Sequence, residues 1–239
     1  MNKLLSTLLA LFVASATNFA HAQATPAAPQ APQSQAPGNA PAGPASLQAK
    51  IAMCLGCHNI IGYQASFPEV HKVPMIAGQN AGYIEAALHA YKGGERKHPT
   101  MRGIADALSD QDIKDIAAYY SKLGLEGGTK LADKPGDEPS PQVAALLQKA
   151  NCVSCHGANF SKPIAPNYPK IGGQHADYLF VALKQYKTDN NAAVGRNNAI
   201  MGAIAKQFSN AELKSIAQYL GSIQGDVKTV PESRFHKHE

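Results

Sequence analysis

The stretch Cys54-Leu55-Gly56-Cys57-His58 recurs as Cys152-Val153-Ser154-Cys155-His156, and the two copies use all four cysteines of the chain. Both copies read C-x-x-C-H, which is the attachment signature of c-type haem. The alternatives are two disulfides, a zinc site or a redox dithiol. Zinc favours C-x-x-C pairs about 15–20 residues apart, whereas these pairs are 98 residues apart. A thioredoxin-like dithiol needs a βαβ context, which the sequence does not show. The motif therefore predicts one covalently attached haem for each copy.

The chemistry of attachment explains the spacing. Two thiols one helical turn apart add to the two vinyl groups of a haem and fix its edge. The imidazole that follows at once then projects toward the iron and becomes the proximal ligand. We therefore predict two covalently bound haem c groups, attached through Cys54, Cys57, Cys152 and Cys155 and ligated by His58 and His156.

The two halves of the chain resemble each other well beyond this motif. Residues 74–92, PMIAGQNAGYIEAALHAYK, match residues 169–187, PKIGGQHADYLFVALKQYK, with ten of nineteen positions identical. The stretch from Met101 to Asp110 then matches that from Met201 to Asn210. A period near 100 residues indicates a doubled domain and not a solenoid of short repeats.

The repeat favours one residue in each half as the sixth iron ligand. Met201 is the single methionine of the second half, it aligns with Met101, and each lies about 45 residues after its histidine. A thioether ligand beside an imidazole raises the reduction potential and suits an electron carrier. Ordinary core packing is the alternative for a lone methionine. The other first-half candidates are Met53, Met75, His71, His89 and His98, and His98 is the strongest competitor.

Other shared residues have structural interpretations. Gly78 and Gly173 are expected in a tight turn before a helix. Arg96 and Arg196 each precede the aligned methionine by five positions, and they either pair with haem propionates or lie exposed. Four tyrosines at helical spacing are expected to pack on haem or on helices: Tyr83, Tyr91, Tyr178 and Tyr186.

Helices dominate the predicted secondary structure. The haem cysteines lie in helices near 46–57 and 142–155, and middle helices cover 80–92 and 175–187. Ser109 with Asp112, and Ser209 with Glu212, predict capping boxes. Apolar residues at helical period follow each box. We find no convincing run of alternating residues that would indicate strands. The predicted fold is all-α, with two tandem domains that each hold a covalent haem.

The predicted boundaries begin with a secretory signal peptide over residues 1–22, cleaved after Ala22, which places the mature chain in the periplasm. Residues 23–45 are rich in Ala and Pro without charge, and they predict a disordered tether. Domain 1 covers 46–126, a linker covers 127–141, domain 2 covers 142–225, and a C-terminal tail covers 226–239.

Composition excludes some partners. The formal net charge is only +5 over 239 residues. We expect the charges to be evenly spread, so a nucleic-acid partner is not expected. The chain has no Trp and few aromatic residues. The side chains alone therefore offer little large apolar surface for a core, which a large apolar cofactor would complete.

A C-x-x-C-H motif followed by P-x-I-x-G-Q-x-A-x-Y, a methionine and a capped C-terminal helix, twice over, resembles the cytochrome c4 family of class I cytochromes c. The resemblance covers about residues 46–225. It implies two all-α domains related by pseudo-twofold symmetry, with haem edges facing across the interface. It also implies an electron carrier and not an enzyme. The implied partners are a cytochrome oxidase or a bc1-type complex, and the resemblance allows peripheral membrane association.

Two other functional classes stay open at this point. A dihaem cytochrome subunit of a dehydrogenase, such as a flavocytochrome c, shares the doubled fold. A dihaem peroxidase would need an open iron position, which two methionine ligands would close. The chain also departs from the family pattern at Asn59, where the second half has Gly157, in a longer first loop (residues 59–72), and in the ending FHKHE.

Overall fold

The computed structural model describes residues 46–126 and 130–232. The signal peptide and tether, residues 127–129 of the linker, and residues 233–239 of the tail lie outside the described residues. Domain 1 begins with α1, which carries both cysteines of the first motif, as predicted. Its helices are α1 (Leu47–His58), α2 (Ala81–Gly93), α3 (Pro99–Asp106) and α4 (Asp110–Lys122).

Domain 2 repeats this order with one break. The predicted single helix over 142–155 is wrong, because the chain leaves the helix at Asn151, which has φ of 49°. The second motif therefore lies on a separate short helix that ends at His156. The helices of domain 2 are α5 (Pro141–Ala150), α6 (Val153–His156), α7 (Ala176–Gln185), α8 (Ala199–Ala205) and α9 (Asn210–Ser222).

The last helix of each domain, α4 or α9, packs its apolar face into the core of that domain. Ser109 and Ser209 make the predicted capping boxes with Asp112 and Glu212, which satisfy the free N–H groups at each helix start. The apolar faces predicted for these helices are buried: Ile113, Ile116, Ala117 and Tyr120 in α4, and Leu213, Ile216, Ala217 and Leu220 in α9. Helical period alone was enough to identify this part of the core.

Two very short antiparallel pairs depart from the prediction of no strands. The first pairs β1 (Gln64–Ala65) with β2 (His71–Lys72) inside the longer loop of domain 1. The second pairs β3 (Arg96–Lys97) of domain 1 with β4 (Gly195–Arg196) of domain 2. Strands of two residues carry no alternation that a sequence could reveal. The β3–β4 pair nevertheless matters, because it joins the domains and places Arg96 opposite Arg196.

The G-Q dipeptides of the repeat also join the domains. The Gln79 side chain donates to the Lys170 carbonyl at 2.9 Å and accepts from the Lys170 N–H at 2.8 Å. Gln174 makes the same two contacts with the backbone of Met75, at 2.8 and 3.0 Å. Both glutamines are buried. Each domain therefore fixes the loop that precedes the middle helix of the other.

The segment after each domain packs on the other domain. The Asn159 side chain of domain 2 donates to the carbonyl of Ala132 in the linker at 2.8 Å. The described part of the tail, 226–232, lies against domain 1 instead. There the backbone of Lys228 forms an isolated antiparallel β-bridge with Ala77. The Asn59 side chain donates to the Val230 carbonyl at 2.5 Å. Asn59, the departure from the family pattern, thus holds the tail.

Position 157 requires a glycine, whereas the equivalent position in domain 1 is occupied by Asn59. Gly157 has φ of 80°, and an added Cβ would lie 2.1 Å from the Lys162 carbonyl oxygen. Asn59 has φ of −104°, which any residue adopts. We expect Gly157→Ala to lower the free energy of unfolding by about 2 kcal/mol or more. The cost of a positive φ at alanine and the cost of the clash with the Lys162 carbonyl both contribute to this loss. Chemical denaturation of the haem-loaded protein measures this.

Gly56→Ala is the matched control for that substitution. Gly56 lies inside α1, and an added Cβ would meet nothing within 4 Å. Alanine is favoured over glycine in a helix by about 1 kcal/mol, so this variant should be as stable as the wild type or more stable. Equal losses at both positions would contradict the assignment of Gly157 to a backbone requirement.

Candidate haem sites

A cavity of about 790 Å³ runs between the helices and is lined by residues of both domains. All eight predicted site residues line it: Cys54, Cys57, His58, Met101, Cys152, Cys155, His156 and Met201. Its remaining walls are mostly aliphatic and aromatic. A large apolar cavity with a few convergent polar groups is what a cofactor with an apolar body requires.

The two histidines are held in the tautomer that iron ligation needs. The Nδ1 atom of His58 lies 2.8 Å from the Pro74 carbonyl oxygen, and that of His156 lies 3.0 Å from the Pro169 carbonyl oxygen. A carbonyl only accepts, so each Nδ1 carries the proton and each Nε2 keeps its lone pair. Burial also lowers the pKa of both imidazoles. Both rings are therefore oriented so that Nε2 is available to bind a metal ion.

These two prolines were not singled out from the sequence. Their backbone carbonyls orient the imidazoles of His58 and His156, as carbonyls and carboxylates orient histidines in many metal sites. The available signal was that Pro74 and Pro169 are identical positions in the repeat. A backbone acceptor leaves no mark on residue type, so only the structure shows its role.

The cysteines match covalent attachment better than the alternatives. Burial raises the pKa of the Cys54 and Cys152 thiols to about 11, so these two thiols do not have the low pKa of a reactive redox cysteine. Within the described residues all four cysteines are free, and no three His, Cys, Asp or Glu side chains converge on a metal site. The disulfide and zinc interpretations therefore have no support in this part of the chain.

Matching helix starts place the two methionines. Met101 and Met201 each occupy the third position of a short helix, α3 and α8. The Met101 N–H donates to Nδ1 of His98 at 3.3 Å, and the Met201 N–H donates to Oδ1 of Asn198 at 2.9 Å. His98 thus occupies the N-cap position that Asn198 occupies in domain 2. Because Nδ1 of His98 accepts this bond, the proton of the neutral ring lies on Nε2, and neither nitrogen has a free lone pair for iron in this arrangement.

Of the remaining candidates, Met53, Met75 and His89 are placed less favourably, whereas His71 lines the cavity. Met53 is 65% exposed on the helix of the first motif. Met75 lines the cavity, but its backbone is fixed by Gln174 and its counterpart is Lys170. His89 is exposed. His71 is buried and lies near Tyr178 of domain 2, with ring centroids 6.2 Å apart.

The arginines of β3 and β4 are not exposed, so that alternative is wrong. Arg196 is buried and Arg96 is partly buried. Arg96 donates to the Tyr83 hydroxyl at 3.1 Å, and Arg196 donates to the Tyr178 hydroxyl at 3.0 Å. Tyr91 and Tyr186 pack near the same guanidiniums. The four tyrosines of the repeat therefore surround the two arginines.

These guanidiniums have no carboxylate partner among residues 46–126 and 130–232. Two cations facing each other at a domain boundary are costly unless an anion balances them. Both arginines line the cavity. Haem carries two carboxylates on the edge opposite its thioether bonds, so the cavity has the charge and the polarity that two haems require.

Comparisons with known proteins agree with this geometry. The profile of the cytochrome c family matches residues 142–224. Cytochrome c4 of Stutzerimonas stutzeri is 30% identical over 92% of this chain and 98% of its own. A thiosulfate dehydrogenase electron acceptor of Stutzerimonas stutzeri (strain A1501) is 28% identical over 71% and 78%. The crystal structure of reduced cytochrome c4 from Pseudomonas stutzeri matches with a TM-score of 0.53 and 26% identity, covering 74% of this chain and 97% of that chain.

The predicted family, fold class and cofactors are confirmed by these matches together. The fold is mostly helical and doubled, and both C-x-x-C-H motifs face the cavity. Among the described residues, no helix has the length and apolar character needed to cross a membrane. The chain belongs to the cytochrome c4 family, as a dihaem electron carrier with one covalently bound haem c in each domain.

Proposed function

We propose that this chain carries electrons in the periplasm between respiratory redox partners, with His58 and Met101 as the axial ligands of one haem iron and His156 and Met201 as those of the other. The iron of each haem supplies the one-electron couple when the group is bound. The observation that supports the ligand set is the pair of matched helix starts that place both methionines in the cavity wall.

The residues of the chain keep each iron site closed and pre-arranged. Each histidine is fixed by a proline carbonyl, and each methionine by an N-cap. Ligands held in this way do not exchange when the iron changes oxidation state, so little reorganisation accompanies electron transfer. A peroxidase needs an open iron position, so closed sites favour a carrier.

We assign Arg96 and Arg196 to the propionates of the two haems. The supporting observation is that these paired cations have tyrosine and glutamine partners but no carboxylate among the described residues. A fixed positive charge beside the haem favours the reduced state, because the added electron lowers the charge of the iron. The two arginines therefore help to set both potentials.

The relatives support two candidate sets of redox partners. The family resemblance implies delivery toward a cytochrome oxidase or exchange with a bc1-type complex. The similarity to a thiosulfate dehydrogenase electron acceptor adds a second candidate, acceptance of electrons from a dehydrogenase of that kind. Measuring reduction of the purified protein by a thiosulfate dehydrogenase, with and without thiosulfate, distinguishes the two.

We also propose export with removal of residues 1–22 and retention of the Ala/Pro-rich tether over 23–45. The small residues Ala20 and Ala22 match the processing site of a secretory signal. The periplasmic protein should begin at Gln23, and its intact mass should equal that of residues 23–239 plus two haems. A membrane-bound form that retains residues 1–22 would contradict this and indicate an anchored carrier.

A further inference from the structure

The loop after the first haem motif is longer than its counterpart in domain 2. It runs over 59–73 in domain 1, whereas the equivalent loop runs over 157–168 and is three residues shorter. The longer loop contains the β1–β2 pair, which carries His71. The loop of domain 2 includes no histidine. His71 is therefore a feature of domain 1 alone.

This loop packs on α7 of domain 2. The Lys72 N–H donates to Oδ2 of Asp177 at 3.0 Å. The ring of His71 stacks on that of Tyr178, with an angle of 29° between the planes. Tyr178 also accepts the hydrogen bond of Arg196. His71 therefore lies one side chain away from a guanidinium that we assign to a haem propionate.

The two nitrogens of the His71 ring have different surroundings. Nδ1 lies 2.8 Å from the Glu69 carbonyl oxygen, so Nδ1 carries a proton and the ring is fixed by this bond. Nε2 has no hydrogen-bond partner within the part of the chain that the structure describes. The residue is only 4% exposed, and it lines the haem cavity. Buried polar atoms are nearly always hydrogen-bonded, so Nε2 requires a partner inside the cavity.

A propionate of the first haem is the group that fits this position. Haem is apolar apart from its iron and its two propionate carboxylates. In the proposed ligand set the axial positions of the first iron belong to His58 and Met101, which leaves the propionates. Burial, and then the neighbouring His71 and Arg196, lower the pKa of His98, the N-cap of the helix that carries Met101. This proximity places His71 beside the haem of domain 1.

We propose that Nε2 of His71 binds a propionate carboxylate of the first haem, and that His71 takes up a proton when this haem is reduced. The redox partner supplies one electron and solvent water supplies one proton, while the carboxylate stays ionised. The protonated ring donates its Nε2–H to the carboxylate, and its positive charge offsets the charge of the added electron. Imidazole is the side chain suited to this role, because it exchanges a proton between about pH 5 and 8.

The charges around His71 leave room for such an anion. The nearby titratable and charged groups are Glu69 and Lys72 on its own loop, Asp177, Tyr178 and Lys184 on α7, His175 and His98 at helix starts, and Arg196 on β4. Both carboxylates of this set form ion pairs with its two lysines. Arg196 and a protonated His71 would therefore be unbalanced without a propionate.

The test is a redox titration of the holoprotein between pH 5 and 8, with the two haems distinguished by the NMR signals of their methyl groups. In the wild type the potential of the first haem should fall as the pH rises, because protonation of His71 favours the reduced state. His71→Gln keeps a hydrogen-bonding side chain but takes up no proton in this range. At least half of the pH dependence should be lost in this variant, with the largest difference from the wild type at pH 5.

The second haem is an internal reference, because domain 2 has no counterpart of His71. Its pH dependence should be the same in the wild type and in His71→Gln. His89→Gln is the matched control, since His89 is exposed on α2 and does not line the cavity. This variant should keep the wild-type pH dependence of both haems.

A second measurement needs no substitution. Histidine ¹⁵N NMR of the wild type should show that reduction at fixed pH increases the protonated fraction of His71. An unchanged fraction, or a wild-type pH dependence in His71→Gln, would overturn the proposal. Loss of the charge-transfer absorption of the first haem in His71→Gln would also overturn it, because His71 would then act on the iron. A wrong ligand set would appear separately, in the spectrum of Met101→Ala.

Discussion

Replacing Met201 by alanine should abolish the sulfur-to-iron charge-transfer absorption of the second haem and lower its reduction potential. Thioether ligation favours the ferrous state, and axial ligands set haem potentials over a range of about 0.8 V. The fall should therefore be much larger than for any surface substitution. Met101→Ala should do the same for the first haem. Spectroscopy and redox titration of each variant measure both changes.

Met75→Ala is the control for these substitutions. Met75 also lines the cavity, but Gln174 holds it through its backbone, and alanine preserves that contact. The charge-transfer band of the first haem should therefore survive. If the Met101→Ala protein keeps the full charge-transfer intensity of the wild type, then His98, Met75 or another residue is the ligand of the first haem, and the carrier interpretation of domain 1 has to be withdrawn. An opened iron in either methionine variant should also bind water or a small exogenous ligand.

The second large effect is expected from Arg196→Gln. This change removes a buried cation and its contacts with Tyr178 and Gln185. If the guanidinium balances a haem propionate, the substitution leaves that carboxylate buried without a partner, which costs about 3–5 kcal/mol. The potential of the second haem should fall as well, because a positive charge beside it is lost. Denaturation and redox titration of the holoprotein measure the two effects.

Arg102→Gln provides the comparison for the arginine result. Arg102 is exposed, and its partner Asp106 is four residues away on the same helix. Its loss should change the free energy of unfolding by less than about 1 kcal/mol and leave both potentials in place. An Arg196→Gln protein with wild-type stability and potentials would show that the propionates are balanced elsewhere.

The sequence was sufficient for every feature that repeats as a side-chain pattern. The two C-x-x-C-H motifs, the capping serines and the buried faces of α4 and α9 are all patterns of residue type, and the structure confirms where they lie. The matched methionines were found by alignment of the halves. Each of these features depends on the identity of a side chain at a fixed spacing.

The features that sequence reasoning missed depend on backbone atoms or on contacts between distant segments. The carbonyls of Pro74 and Pro169 have no signature beyond the proline itself. The break at Asn151 needs a left-handed residue inside an otherwise helical pattern. The pairing of β3 with β4 joins residues one hundred positions apart through only two residues each. Local patterns do not contain this information.

The position of the tail on domain 1 has a consequence for how the protein is made. Val230 packs against the core of domain 1, and the Lys228 side chain donates to the Gly124 carbonyl at 2.9 Å. These contacts come from a segment that follows all of domain 2 in the chain. Domain 1 is therefore completed only after domain 2 has been synthesised. Although its residues are contiguous, domain 1 cut at the linker would be an unfinished unit.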